Sequence, residues 1–216
     1  MVRIAVVTWV NRIQYRVSLE RYFRIRYDIY VKRRQWRAVA RPINIEMDAF
    51  DTEHAVYLLA LDSLGEIVGG SRLVPTLQPH LLGNVFPGLA PDGPPRAQDI
   101  FEWTRFFISP ALRGRGGPSP VAGVVLCGVL EVALRLGIRQ ISVVCEAFWP
   151  KRLRALGWSV AGLGDAATLS AGVAENGIAF TLIQGAQSYK IYGRSSGSEQ
   201  LLATVTWEQL QAVGFP

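Results

Sequence analysis

Glu102-Trp103-Thr104-Arg105 sets an acid and a base inside Ile100 to Ile108, a run that otherwise reads as a buried strand. Ionised side chains there are costly unless they are paired or functional. Strand alternation puts Glu102, Thr104 and Phe106 on one face and Trp103, Arg105 and Phe107 on the other. Glu102 and Arg105 can then share one ligand only across a bulge or where the sheet splays; otherwise one meets the ligand and the other braces the scaffold. Glu46, Asp48 and Asp51 place three carboxylates within six residues. A solvated acidic loop has that composition too, and a functional reading requires a cationic ligand. In Gly69-Gly70-Ser71-Arg72-Leu73 the paired glycines imply close approach of another backbone or a ligand beside Arg72, or Arg72 is simply an exposed strand residue. Finally, Arg113-Gly114-Arg115-Gly116-Gly117 precedes a long apolar segment. Glycine N–H groups, the positive end of a helix and flanking arginines together make an anion site, though a plain surface loop also fits.

The elements that position these residues follow from periodicity. Val2 to Val10 reads as a strand, and Leu19 to Val31 as an amphipathic helix with arginines between its apolar positions. Arg33 to Ile45 is a loop. Ala55 to Asp62 and Ile67 to Val74 form a hairpin around Ser63-Leu64-Gly65-Glu66. Pro75 to Pro95 is irregular, with room for one short helix. The helix after Pro118 and Pro120 ends at Gly137, with Glu131 and Arg135 as its solvated stripe. Ile138 to Glu146 is a buried strand, Pro150 to Leu156 a short basic helix, Ile178 to Gln184 a strand, and Thr206 to Val213 a helix whose Thr206 and Gln209 are spaced as a capping box. No repeat or linker interrupts the chain, so residues 1–216 are expected to form one α/β domain: an α/β/α sandwich around a twisted mixed sheet with helices on both faces.

Composition narrows the classes. Half of the residues are hydrophobic, which argues against disorder, and 216 residues bury a core without metal or disulfide staples. Cys127 and Cys145 lie in apolar runs and read as buried free thiols; with only His54 and His80 as histidines, a zinc site or a Cys-His pair is not expected. The net charge of +6 is scattered over Arg21 to Arg41, Arg113/Arg115 and Lys151 to Arg154. No basic tail, helix-turn-helix or RNP pattern accompanies it, so acidic substrates suit the charge as well as nucleic acid does. The first ten residues are too short an apolar run for a signal peptide, and Val121 to Ile138 is interrupted by charges, so a cytoplasmic protein without membrane insertion is expected.

In order and spacing, Arg26, Tyr30, Trp36, Asp48, Asp51, Arg72, Phe86, Glu102 and Arg105 resemble the LuxI-type acyl-homoserine lactone synthases. So do Tyr57-Leu58-Leu59-Ala60-Leu61, Gly70 to Thr76 and Val85-Phe86-Pro87, and the likeness spans about Phe23 to Trp158. The resemblance implies a relative of the N-acetyltransferase sheet. It also implies a two-step reaction: acylation of the S-adenosylmethionine amine by an acyl thioester, then lactone closure with release of methylthioadenosine. S-adenosylmethionine and the acyl thioester are substrates, and no cofactor or metal is implied. Under it Glu102 is the general base, directly or through a water. Asp48 holds the ammonium, Asp51 orients Arg72 or Arg105, and Arg26 and Arg105 serve the ligand carboxylate. Trp36 meets the adenine or the sulfonium, and a strand N–H near Phe106 faces the oxyanion. Tyr30 and Phe86 complete that pocket. Arg113 and Gly116 match the pyrophosphate loop of N-acetyltransferases, but Pro118 stands where a small residue should be. With Gly114, Arg115, Gly117 and Lys151 they are the candidate phosphate site.

Two departures bear on specificity. Tyr30 replaces the family's usual phenylalanine. Glu146-Ala147-Phe148-Trp149-Pro150-Lys151-Arg152 resembles the subgroup that uses acyl-coenzyme A with short branched or aromatic acyl groups. The acyl pocket then draws on Trp103, Thr104, Val144, Glu146, Phe148 and Trp149, unless Phe148 and Trp149 merely pack sheet against helix. Coenzyme A is favoured as donor, while Lys151, Arg152 and Arg154 also suit an acidic acyl carrier protein. The alternatives are a coenzyme A-dependent N-acyltransferase for another amine, and a non-catalytic module binding nucleic acid or protein; the second leaves Glu102 and Asp48 without a role.

Overall fold

Val56–Leu61 (β2) is apolar throughout because both faces of the strand are covered: all six residues are buried. Asp62 ends it, its carboxylate accepting the N–H groups of Leu64 and Glu66, and Gly65 turns the chain at a φ of +80° into Ile67–Pro75 (β3). The computed structural model describes residues 1–36, 39, 42–112, 119–165, 167–168, 176–183, 188–195 and 198–206, with side chains described through residue 165.

Arg3–Val7 (β1) flanks β2 at the sheet edge and is shorter than expected. Asn11 folds back there, accepting the Thr8 N–H and donating to the Val6 carbonyl, which turns the chain. The helix expected over 19–31 divides into Arg16–Arg26 (α1) and a π-helical continuation, Tyr27–Arg33, which buries Ile29 and Tyr30. The irregular stretch holds Leu81–Asn84 (α2) and a 3₁₀ turn at Pro87–Leu89. Then follow Ile100–Ile108 (β4), Pro120–Arg135 (α3), Gln140–Glu146 (β5) and Trp149–Ala155 (α4), close to the expected bounds. Ser159–Gly162 (β6), Ala167–Thr168 (β7) and Asn176–Ile183 (β8) extend the sheet, and Ser188–Ser195 (β9) pairs with Ser198–Thr206 (β10) separately. Of these five strands only β8 was legible. Thr206 closes β10, and residues 207–213, over which a helix was expected, lie outside the described residues.

The sheet order is β1-β2-β3-β4-β5-β8-β6, with β7 beside β8; β4 and β5 run parallel and the other neighbours antiparallel. α1, its π-helical extension and α2 cover one face, where Tyr22, Phe23, Ile29, Tyr57, Leu59 and Phe107 form one core. α3 and α4 cover the other over Leu58, Leu73, Trp103, Val129, Ile141 and Leu153. The expected sandwich with helices on both faces is thus the observed architecture. Gly70 admits α1: a Cβ there would lie 2.7 Å from the Tyr22 ring, so the glycine makes room for a side chain of the core and not for a ligand. Glu131 and Arg135 are exposed on α3 as expected. Cys127 shares their stripe and is also exposed, and Cys145 is half-buried; neither is the buried thiol expected.

Two irregularities of β4 shape the charged face of the sheet. Gly70 pairs with Phe107 and Arg72 with Thr104, so β4 carries an extra residue between them, and Arg105 sits there at a φ of +55°. The left-handed conformation costs a non-glycine residue about 1–2 kcal/mol. It also reverses the alternation: Glu102, Thr104, Arg105 and Phe107 all serve the α1 face, while Trp103 and Phe106 serve the α3 face. Of the two arrangements that alternation left open for Glu102 and Arg105, the bulge that brings them to one face is the one observed. Second, β4 and β5 pair from Ile100/Gln140 to Trp103/Val143, and then the two strands part.

Candidate active site

Four separate segments deliver charge to the α1 face of β3 and β4. Arg26, at the end of α1, is fully buried; its Nε donates to Glu46 at 2.5 Å and its two terminal nitrogens to both oxygens of Asp51 at 2.8 Å. Arg72 on β3 makes the same forked contact with Asp48 (2.6 and 2.9 Å), reaches Asp51 at 2.7 Å and donates its Nε to Thr104 Oγ1. Arg105 donates Nη2 to Glu46 at 2.9 Å and to Asp48 at 2.7 Å. The loop holding the acids is fixed by its own side chains: Asp51 accepts the Asp48 N–H and the Tyr57 hydroxyl, and Asp48 accepts the Phe50 N–H. Three guanidinium groups thus balance three carboxylates.

Such a network survives burial only because every charge is paired and hydrogen-bonded. Burial alone would raise the carboxyl pKa values. The adjoining guanidinium groups outweigh it, holding Glu46 and Asp48 below, and Asp51 far below, the usual carboxylate range. Within the network only Asp48 (11 %) and Arg105 (6 %) retain exposed side-chain surface, so these two form its solvent-facing edge. Over that edge Tyr30 and Trp36 stack at 4.8 Å, with the Arg105 guanidinium carbon 5.2 Å from the Tyr30 ring centre. The Tyr30 hydroxyl donates to the Phe106 carbonyl at 3.2 Å, where β4 has already left β5. Trp36 Nε1 is buried with no partner among the described residues.

Glu102 lies further along β4, fully buried, with Oε2 accepting the Leu81 N–H (2.8 Å) and Oε1 the Leu82 N–H (2.6 Å) of α2. Burial raises its pKa, against the lowering effect of those two N–H groups. A carboxylate held above its ordinary range is a better base near neutrality. His80 supports α2 from below: its Nδ1 meets the Gln78 carbonyl at 2.9 Å, its backbone N–H meets Asn84, and its ring occupies the space a Gly83 side chain would need.

Most of the expected substrate residues therefore converge. Arg26, Asp48, Asp51, Arg72 and Arg105 are one network under Tyr30 and Trp36, with Glu102 on the same face. Asp51 grips Arg26 and Arg72, not Arg105, and Asp48 is bound by two arginines and is no free counter-ion. Phe86 packs with Leu82, Leu89 and Val144 beside α2, outside the network. The Phe106 ring points to the opposite face. The expected acyl set divides likewise. Trp103 contacts Phe106, Trp149 and Trp158 on the α3 side, while Thr104 spends its hydroxyl on Arg72 and Val144 joins the Phe86 cluster. Phe148 stacks on Trp149 and remains half-exposed; Glu146 accepts from Trp149 Nε1. Lys151 is exposed on α4, and Arg113, Gly114, Arg115, Gly116 and Gly117 lie outside the described residues. Sequence reasoning counted Glu46 in the acidic cluster but gave it no role, although two buried arginines depend on it; the need of three arginines for three acids is the signal that could have assigned one. Among the described residues no group of acidic, histidine or cysteine side chains could hold a metal.

The autoinducer synthase family model matches residues 11–180. The chain belongs to the autoinducer synthase family. This autoinducer synthase is 39 % identical over 159 residues to the isovaleryl-homoserine lactone synthase of Bradyrhizobium diazoefficiens, covering 73 % of this chain and 70 % of that one. Among solved structures, the coenzyme A-dependent acyl-homoserine lactone synthase MesI shares 66 % identity at a TM-score of 0.76, over 85 % of this chain and 89 % of its own. BjaI, solved with S-adenosylmethionine and isopentyl-coenzyme A, shares 35 % at 0.80, over 87 % and 85 %. In fold alone the autoinducer synthase is similar to an acyl-coenzyme A N-acyltransferase from Pseudomonas aeruginosa, at 14 % identity and a TM-score of 0.57 over 84 % and 99 %. The expected N-acetyltransferase-like sheet is the observed one.

Proposed function

We propose that this autoinducer synthase transfers an acyl group from an acyl thioester to the amine of S-adenosylmethionine, then closes the lactone and releases methylthioadenosine. The observation that carries the proposal is the edge formed by Asp48 and Arg105 beneath Tyr30 and Trp36, beside the gap where β4 leaves β5. Arg105 commits Nε and Nη2 to Glu46 and Asp48, which leaves Nη1, among the described residues, to grip the ligand carboxylate. The Asp48 oxygens, already bound to arginine, keep lone pairs for the ligand ammonium, and the Tyr30/Trp36 stack offers π surface to the adenine or sulfonium. Glu102 takes a proton from the ammonium, directly or through a water, and the freed nitrogen attacks the thioester. The second ammonium proton leaves with the thiolate as free thiol. Holding the carboxylate near the sulfonium-bearing carbon then suffices for closure, an intramolecular displacement with a good leaving group.

Coenzyme A is the favoured donor. MesI, a coenzyme A-dependent synthase, is 66 % identical to this chain, and Trp103, Phe106 and Trp149 crowd the α3 side of the gap in favour of a short branched or planar acyl group. Exposed Lys151, Arg152 and Arg154 on α4 favour a second donor, an acidic acyl carrier protein. The reading puts the reaction in the cytoplasm, where both substrates are made. Mass spectrometry of a reaction of purified protein, S-adenosylmethionine and isovaleryl-coenzyme A is expected to show an N-acyl homoserine lactone. Turnover with acyl carrier protein alone would move the donor assignment, and no lactone with any thioester would remove the proposal.

A further inference from the structure

Six side chains form a closed circuit across the gap between β4 and β5. Tyr30 stacks on Trp36, and the Arg34 guanidinium lies 5.6 Å from the Trp36 ring centre. Arg34 Nη1 donates to Glu146 Oε1 at 2.8 Å, and Glu146 Oε2 accepts from Trp149 Nε1 at 3.1 Å. Trp149 packs edge-on against Phe106 at 5.4 Å, and the Phe106 carbonyl returns the circuit to the Tyr30 hydroxyl. One arc belongs to the π-helical segment and the loop after it, the other to β4, β5 and α4.

We propose that the Arg34–Glu146 pair is a specificity latch: it fixes the Trp149 indole across the gap and thereby sets the size of the acyl group that the gap accepts. The inference rests on the proposed acyl transfer, and adds Arg34 as a positioning residue that acts through Glu146. The pair is half-open to solvent, with side-chain exposures of 35 and 25 %, so it adds little to folding stability. What it does instead is directional. Trp149 follows Phe148, which is half-exposed, and its indole N–H has Glu146 as hydrogen-bond acceptor. A Glu146 carboxylate held by Arg34 presents one oxygen to that N–H and fixes the ring plane. A carboxylate without Arg34 is free to turn to water, and the indole then has room to rotate away from Phe106. Despite its partial burial, Glu146 is held below the usual carboxylate range by Arg34 and Trp149, so the latch is closed at neutral pH.

The test compares kcat/KM for isovaleryl-coenzyme A and octanoyl-coenzyme A in the full chain and in Arg34→Met, Arg34→Lys, Glu146→Gln and Trp149→Phe. Because one methylene in an apolar pocket is worth about 10- to 200-fold, Arg34→Met and Glu146→Gln are expected to shift the ratio at least tenfold toward octanoyl. Arg34→Lys, which keeps a charged donor, should hold the ratio within about threefold. Trp149→Phe removes the indole N–H together with part of the ring and should shift it as Arg34→Met does, which keeps the test open if one charge variant fails to fold. An unchanged ratio in the neutral variants, or an equal shift in Arg34→Lys and Arg34→Met, overturns the latch. A wild-type protein that releases no methylthioadenosine with either thioester overturns the underlying reaction instead.

Discussion

Glu102→Gln separates chemistry from scaffold at the most informative position. The glutamate accepts two N–H groups of α2, one on each oxygen. Glutamine keeps one acceptor; its amide nitrogen faces the remaining backbone N–H, and that unmade hydrogen bond costs about 1–3 kcal/mol of stability. For a chain of this size that lowers Tm by roughly 2–12 °C. Loss of a general base is worth about 10²- to 10⁴-fold in rate, or roughly 2.7–5.5 kcal/mol. The rate effect therefore outlasts the stability effect at any temperature where the variant is folded. Thiol release at saturating substrates should fall by at least a hundredfold, while calorimetric affinity for S-adenosylmethionine changes by less than fivefold. Because burial raises the Glu102 pKa, the wild-type rate should climb with pH above the ordinary carboxylate range, and the variant should lose that climb. A variant turning over within threefold of wild type, or one that loses rate and affinity together, refutes the assignment of Glu102 as base.

Other perturbations read the network and its surroundings. Glu46→Gln leaves Arg26 and Arg105 short of a buried counter-charge and should cost about 3–5 kcal/mol, measured by urea denaturation, which is more than any exposed acid-to-amide change. Glu46, Asp48 and Asp51 have lowered pKa values in the folded state. Their stabilisation is thus fully present above the unfolded carboxylate value of about 4 and is lost as pH falls toward the lowered values. Acid titration by circular dichroism should show unfolding there, and a transition centred above pH 5 would contradict it. Gly70→Ala drives a methyl into the Tyr22 ring and should destabilise by about 1–3 kcal/mol, as read by thermal denaturation. Tyr30→Phe removes only the 3.2 Å bond to the Phe106 carbonyl, about 0.5–1.5 kcal/mol, and should leave a working enzyme.

The arginines and acids of the site were legible because ionised residues in apolar surroundings have few plausible uses, and their order along the chain resembles one family. What alternation could not supply was the bulge at Arg105. A single left-handed residue reverses which side chains share a face, and an arginine there carries no local signature of it. The same reversal moved Phe106 off the α1 face, whereas Trp103 and Thr104, which precede the bulge, fall on opposite faces by ordinary alternation. Glu46 was read as part of an acidic loop because pairing with Arg26 and Arg105, 20 and 59 residues distant, is invisible to local pattern. β6, β7 and β9 escaped because they are short or carry glycine and serine where a strand signal needs branched residues, whereas β10, with Leu201, Leu202, Thr204 and Val205, was overlooked despite its apolar and branched residues.

The most direct measurement is the stoichiometry of two products in one reaction. With purified protein, S-adenosylmethionine and isovaleryl-coenzyme A, free thiol and methylthioadenosine should appear together at one to one, and neither should form when one substrate is omitted. Thiol released without methylthioadenosine would mean that the acyl group goes to water or to another amine, and the pocket between Asp48, Arg105 and Trp36 would have lost its substrate.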